Sequence, residues 1–129
     1  MTNLLLDTHV FLWWVSDAPD LSAAARLAVR DPETKCLLSL ASCWEIAIKQ
    51  SLGKLRLPAP PDRFIPEQMA VNRFQALDIE FRHVARVAEL PFHHRDPFDR
   101  LLIAQALEGD LALVSSDSAF DAYGVKRLW

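Results

Sequence analysis

Four carboxylates, Asp7, Glu45, Asp99 and Asp117, stand where apolar strands end or where the following helices begin. Asp7 closes the run Leu4-Leu5-Leu6, whose short, wholly apolar character suits a strand buried on both faces of a parallel sheet. In open α/β sheets the carboxyl edge of the strands is where ligands bind, so an acid at that edge directs attention to the same edge of every other strand. Parallel strands bring all these ends to one side, which predicts that the four acids converge. Two carboxylates about 4 Å apart repel by roughly 4 kcal/mol at an effective dielectric near 20. Such a group takes up protons, opens, or recruits a cation. Oxygen ligands favour Mg²⁺ or Mn²⁺ over zinc. One or two such ions can hold a phosphodiester, lower the pKa of a bound water and stabilise the leaving oxygen, the chemistry of a hydrolytic nuclease. Each acid also has a structural alternative: Glu45 as the i,i+4 partner of Lys49, Asp99 on a helix macrodipole, and Asp117 as an N-cap.

The elements that must position these acids follow from periodicity. Residues 9–15 are almost all apolar, and Trp13 and Trp14 are read either as covered by the next helix or as meeting another chain. Asp20 and Ser22 can cap a helix to about Arg30, which Asp31-Pro32 stops. Cys36 to Ser39 reads as a second buried strand. Ser42 is then a candidate N-cap, with Trp44, Ala47, Ile48, Leu52 and Leu55 on the helical period and Glu45 in the first turn. Pro58, Pro60 and Pro61 stiffen a loop before a helix opened by Asp62. Phe74 to Ile79 suits a third strand and Arg82 to Leu90 a helix. Asp96 fits an N-cap and Pro97 the N1 position, leaving Asp99 at N3 on the side of Leu102, Ile103 and Ala106. Leu111 to Ser115 is a fourth strand, Ser118 to Tyr123 a short helix, and Val125 to Trp129 a fifth strand or apolar tail. The alternation calls for an α/β fold, a parallel sheet of about four to five strands between helical layers.

Composition narrows the class. At 129 residues the chain is read as a single domain over 1–129, and 51% apolar with 24% charged residues argues against disorder. No segment suits a membrane span or an export signal, so a cytoplasmic protein without a membrane partner is expected. Cys36 and Cys43 are then reduced thiols. A net charge of -3 offers no global attraction to nucleic acid, so a phosphodiester substrate needs local cations. There is no Walker motif, no Rossmann fingerprint and no G-x-S-x-G elbow. His93 and His94 read as loop residues with ordinary hydrogen bonds, with a ligand or acid-base role as the alternative.

The motifs LLLDTH (4–9), SxxSxWEIAIK (Ser39 to Lys49), GKL (53–55), HRDPFDRLLIAQA (94–106), SSD (115–117) and the closing VKRLW resemble the PIN-domain endoribonucleases, and within them the VapC-like toxins of toxin-antitoxin pairs. The resemblance implies a three-layer α/β/α PIN-like fold, Mg²⁺ or Mn²⁺ held by Asp7, Glu45, Asp99 and Asp117, an RNA substrate, a cognate antitoxin protein over the apolar N-terminal helices, and a homodimer. This chain has His9 where many members carry Asn or Ser, and Ser115 where Thr often precedes the last acid by two. Lys49, Lys54, Arg56, Arg95 and Arg100 are the candidates for phosphate contacts, each with a solvated charge as its alternative. Three other readings stay open: a nuclease of RNA maturation, a non-catalytic binding module, and a receiver-like phosphoryl-transfer domain. Against the last, no second Asp follows Asp7 two residues on.

Overall fold

The structure is a computed structural model that describes residues 2–129. In chain order it comprises β1 (Thr2–Leu6), α1 (Thr8–Val15), α2 (Ala23–Arg30), β2 (Thr34–Ser39), α3 (Leu40–Ser51), α4 (Pro61–Asn72), β3 (Gln75–Leu77), α5 (Phe81–Glu89), α6 (Pro97–Gly109), β4 (Ala112–Val114), a 3₁₀ helix (Ser118–Tyr123) and β5 (Lys126–Leu128). The five strands form one parallel sheet in the order β3-β2-β1-β4-β5. The chain runs outward from β1 through β2 to β3, then returns to β4 on the other side of β1. The strand order therefore reverses between β1 and β4, the place at which open α/β sheets bind ligands.

Side chains alternate across the sheet, and each face buries its own cluster. Leu4 and Leu6 of β1 join Val10, Phe11, Ala25, Leu38, Ile46, Phe64 and Val114 beneath α1 to α4. Leu5 joins Leu37, Leu102, Ile103, Leu113 and Phe120 beneath α6 and the 3₁₀ helix. The three leucines of β1 are almost fully buried, at about 2 kcal/mol each for the area removed from water. This is the three-layer α/β/α arrangement expected.

Several expectations are corrected in detail. The helix after β2 starts three residues earlier than Ser42. Ser39 is its N-cap, accepting the Ala41 N–H at 3.0 Å, while Ser42 is buried inside the first turn. Glu45 thus lies past the first turn, and the buried positions are Ala41, Ser42, Glu45 and Ile46. Of the apolar stripe expected to pack, Trp44 (59% exposed) and Leu52 face out, while Ala47, Ile48 and Leu55 are half-buried. Ser22 caps α2 by accepting the Ala25 N–H, a bond Asp20 does not make. Trp13 and Trp14 are half-buried within the chain. The Trp14 Nε1–H donates to Asn72 Oδ1 at 2.9 Å, and Trp13 packs on Trp129. Both cysteines are free thiols. No helix among the described residues is long and apolar enough to cross a membrane.

Candidate active site

Asp7 leaves the end of β1 at its register position beside β4, its N–H bonded to the Val114 carbonyl at 3.0 Å. It is the N-cap residue of α1, yet its carboxylate makes no capping bond. Oδ2 instead accepts from the Ser115 hydroxyl at 2.7 Å. Only 8% of Asp7 is exposed, and burial raises its pKa. The Ser115 bond and His9 oppose that rise, and the nearby Glu45 charge adds to it. Ser115 also accepts the Asp117 N–H at 3.0 Å, so one buried hydroxyl ties the first acid to the loop of the last.

Glu45 reaches the same edge from α3 and is 5% exposed. Its Oε1 accepts from the Thr8 hydroxyl at 2.7 Å, and Thr8 Oγ1 is within hydrogen-bond distance, 2.9 Å, of Ser42 Oγ. Its Oε2 takes the Lys49 ammonium at 2.7 Å. The i,i+4 pair offered as a structural alternative therefore exists, but it lies against the pocket, and Asp96 and Asp99 join Glu45 in raising the Lys49 pKa.

Asp99 occupies N3 of α6 as expected. Asp96 does the capping, its Oδ1 accepting the N–H groups of Phe98 and Asp99 at 2.8 and 3.3 Å. That leaves the Asp99 carboxylate free to face the crevice. Burial, and then the charges of Asp7, Asp96, Glu45 and Asp117, push its pKa up to about 8. Asp117 caps the 3₁₀ helix through Oδ1, which accepts the Ala119 N–H at 3.0 Å. Its Oδ2 is left for the pocket, 3.5 Å from His94 Nε2.

The four acids named in the sequence lie at the same carboxyl edge of the sheet, where the charges of Asp7, Glu45 and Asp117 add to the effect of burial on Asp99. Thr8, which sequence reasoning passed over, joins them, as does His94, for which the sequence left a ligand or acid-base role as the alternative. Thr8 orients Glu45. His94, read as an ordinary loop residue, places Nε2 3.1 Å from Asp99 Oδ2. One atom each of His94, Asp99 and Asp117 lie within 4.8 Å of one another. The local signal is the closeness of His94 to Asp96 and Asp99 in sequence; its other contacts, to Asp117, Phe120 and Tyr123, come from farther along the chain. Arg100 is corrected as a candidate phosphate contact: it is buried, and its guanidinium donates to the carbonyls of Val87, Leu90, Pro91 and His94.

The donor set is predominantly carboxylate and short of positive charge, which fits a hard divalent cation. Burial raises the cost of each negative charge, and the crowding seen at Asp99 is what such an ion relieves.

Comparison with known proteins gives a consistent picture. The PIN domain family model matches residues 4–126. Ribonuclease VapC22 of Mycobacterium tuberculosis (strain ATCC 25618 / H37Rv) is 30% identical over 118 residues, covering 91% of this chain and 88% of that protein. Ribonuclease VapC16 of the same organism is 38% identical over 68 residues, which are 53% of this chain and 48% of VapC16, so the match spans about half of that relative. Among solved structures, VapBC2 from Rickettsia felis, bound to a promoter DNA fragment, superposes with a TM-score of 0.73 at 13% identity, covering 98% and 97% of the two chains. DNA-bound VapBC from Salmonella typhimurium superposes with a TM-score of 0.70 at 15% identity and the same coverage. These two likenesses concern the fold.

Proposed function

The chain belongs to the PIN domain family, and on that premise we propose that it is a divalent-metal-dependent endoribonuclease acting as the toxin of a toxin-antitoxin pair. The observation that carries this reading is the convergence of Asp7, Glu45, Asp99 and Asp117 on one edge of the sheet, with Asp99 pushed up to about 8 by burial and by the neighbouring acids. The relatives named ribonuclease support RNA as substrate.

Asp7, Glu45, Asp99 and Asp117 are the residues that would hold Mg²⁺ or Mn²⁺. When bound, such an ion supplies Lewis-acid activation of a water and stabilisation of charge developing on phosphate oxygens. The chain's own residues prepare the site. Ser115 and Thr8 fix carboxylate oxygens of Asp7 and Glu45, and Lys49 offsets part of the Glu45 charge. The edge position leaves room for a phosphodiester to approach along the open rim, where Asp117 is the most exposed of the four acids.

Solved structures of VapBC complexes support a small antitoxin protein as the partner, and a homodimer working in the cytoplasm completes the reading. The test is cleavage of candidate RNAs by purified protein. We expect EDTA to abolish it and added Mg²⁺ or Mn²⁺ to restore it; cleavage indifferent to chelation and to Asp7→Asn overturns the metal mechanism. Growth arrest on expression, relieved by a small protein encoded beside this one, tests the toxin assignment.

A further inference from the structure

His94 lies between α5 and α6, and its backbone and ring are held by residues of other elements and of its own loop. Its N–H donates to Tyr123 Oη at 2.7 Å, and its carbonyl accepts from Arg100 Nη1 at 3.3 Å. Its ring stacks on the fully buried Phe120, with centroids 5.8 Å apart and planes at 25°. Its Nδ1 accepts the Asp96 N–H at 3.3 Å. Arg100 in turn is held by three further carbonyls, and the Phe92 ring lies 4.3 Å from its guanidinium carbon. A surface loop does not require this degree of fixation; a side chain that must present one atom at one place does.

The Nδ1 contact decides which atom that is. A ring nitrogen that accepts an N–H bond carries no proton, so the neutral imidazole bears its proton on Nε2. Nε2 is the atom facing Asp99 Oδ2 and Asp117 Oδ2. A nitrogen that bears a proton donates and does not ligate. We propose that His94 is a positioning residue of the acidic pocket, presenting Nε2–H to Asp99 and Asp117 so that both carboxylates face the crevice, without itself joining the donor set of an ion. This rests on the nuclease reading above. Groups that orient metal ligands in this way are worth about 10- to 100-fold in metal affinity or activity.

Long-range ¹H–¹⁵N correlation of the histidine rings in the wild-type protein reads the tautomer directly. We expect the Nε2–H form for His94 without metal, and the same form after Mg²⁺ is added; an Nδ1–H ring, or loss of the Nε2 proton on adding Mg²⁺, overturns the proposal. Two variants extend the test, with Mn²⁺ affinity measured by calorimetry and kcat measured separately. His94→Gln keeps an N–H near the Nε2 position and is expected to retain both quantities close to wild type, whereas His94→Ala loses about 10- to 100-fold in at least one. Equal defects in the two variants, or a wild-type His94→Ala, overturn the proposal. Should wild-type protein cleave no RNA, the nuclease reading fails on its own, and the tautomer and the Mn²⁺ titration still judge His94.

Discussion

Asp7 and Glu45 stand on one side of the pocket and Asp99 and Asp117 on the other, and the two pairs are compensated differently. On the first side each acid has a donor supplied by the fold: the Ser115 hydroxyl for Asp7, and the Thr8 hydroxyl with the Lys49 ammonium for Glu45. On the second side Asp99 has the His94 ring nitrogen at 3.1 Å, with burial and then four acids raising its pKa, while Asp117 spends one oxygen on a helix cap. The first pair has its oxygens fixed by donors that the fold itself supplies. The second is left for something from outside to neutralise, which is how a pocket can be stable enough to fold and still bind a cation strongly.

The largest expected effect breaks both sides alike. Asp7→Asn and Asp99→Asn each remove a charged oxygen that the proposed ion needs, and each should lower RNA cleavage by more than about 100-fold, beyond what loss of an orienting group costs. Single-turnover cleavage with saturating Mn²⁺ measures it. A variant retaining activity within a factor of ten would show that its side of the pocket serves the fold alone.

Next in size is Ser115, the hydroxyl that joins the two sides. Ser115→Ala should reduce cleavage by about 10- to 100-fold, because it releases Asp7 Oδ2 and leaves the Asp117 N–H without its acceptor. Ser115→Thr keeps the hydroxyl and should restore most of the rate. If alanine and threonine behave alike, the bridge is incidental to the chemistry.

How far these residues are legible without a structure differs between the same two sides. Asp99 is readable because local rules agree: Asp96 satisfies the cap and Pro97 takes N1, so the carboxylate at N3 is not needed as the cap. Asp7 is readable because the three leucines suit a buried strand and the end of that run is visible. Glu45 is right in place and wrong in context. Periodicity assigns the buried side of α3 to Trp44, Ala47, Ile48 and Leu52, whereas the side that packs carries Ser42 and Glu45. A rule that equates burial with apolarity turns the helix away from its own candidate site residue. His94 is beyond such rules, since its orientation depends on Arg100, Phe120 and Tyr123, contacts made only after folding.

Metal-free stability sharpens the contrast through opposite signs. A carboxyl group whose folded pKa is about 8 holds its proton in the folded state, while the unfolded chain, near 3.9, has released it. Between these values the unfolded state binds fewer protons, so stability falls as pH rises from about 4 to about 8. Asp99→Asn removes that slope and should raise the metal-free Tm at pH 8 by several degrees, at about 3–5 °C per kcal/mol for a chain of this size. Glu45→Gln should lower it, because Lys49 loses its ionic partner. Thermal unfolding in EDTA at pH 5 and pH 8 measures both, and equal signs would erase the distinction between the two sides.

The smallest effect concerns Lys49, the cation the fold already supplies. An exposed i,i+4 ion pair is worth about 0.3–0.5 kcal/mol. This one has an exposed partner and a buried one, 39% against 7% of the side chain, so removing Lys49 leaves a buried carboxylate with less compensation and costs somewhat more. Lys49→Met should therefore lower the metal-free Tm by about 2–4 °C. The same variant should show a larger Tm increase on adding Mn²⁺ than wild type does, because the ion then replaces charge that the lysine otherwise provides. An unchanged Mn²⁺-induced increase would mean that Glu45 does not sense the ion, and the first side of the pocket would then reduce to Asp7 alone.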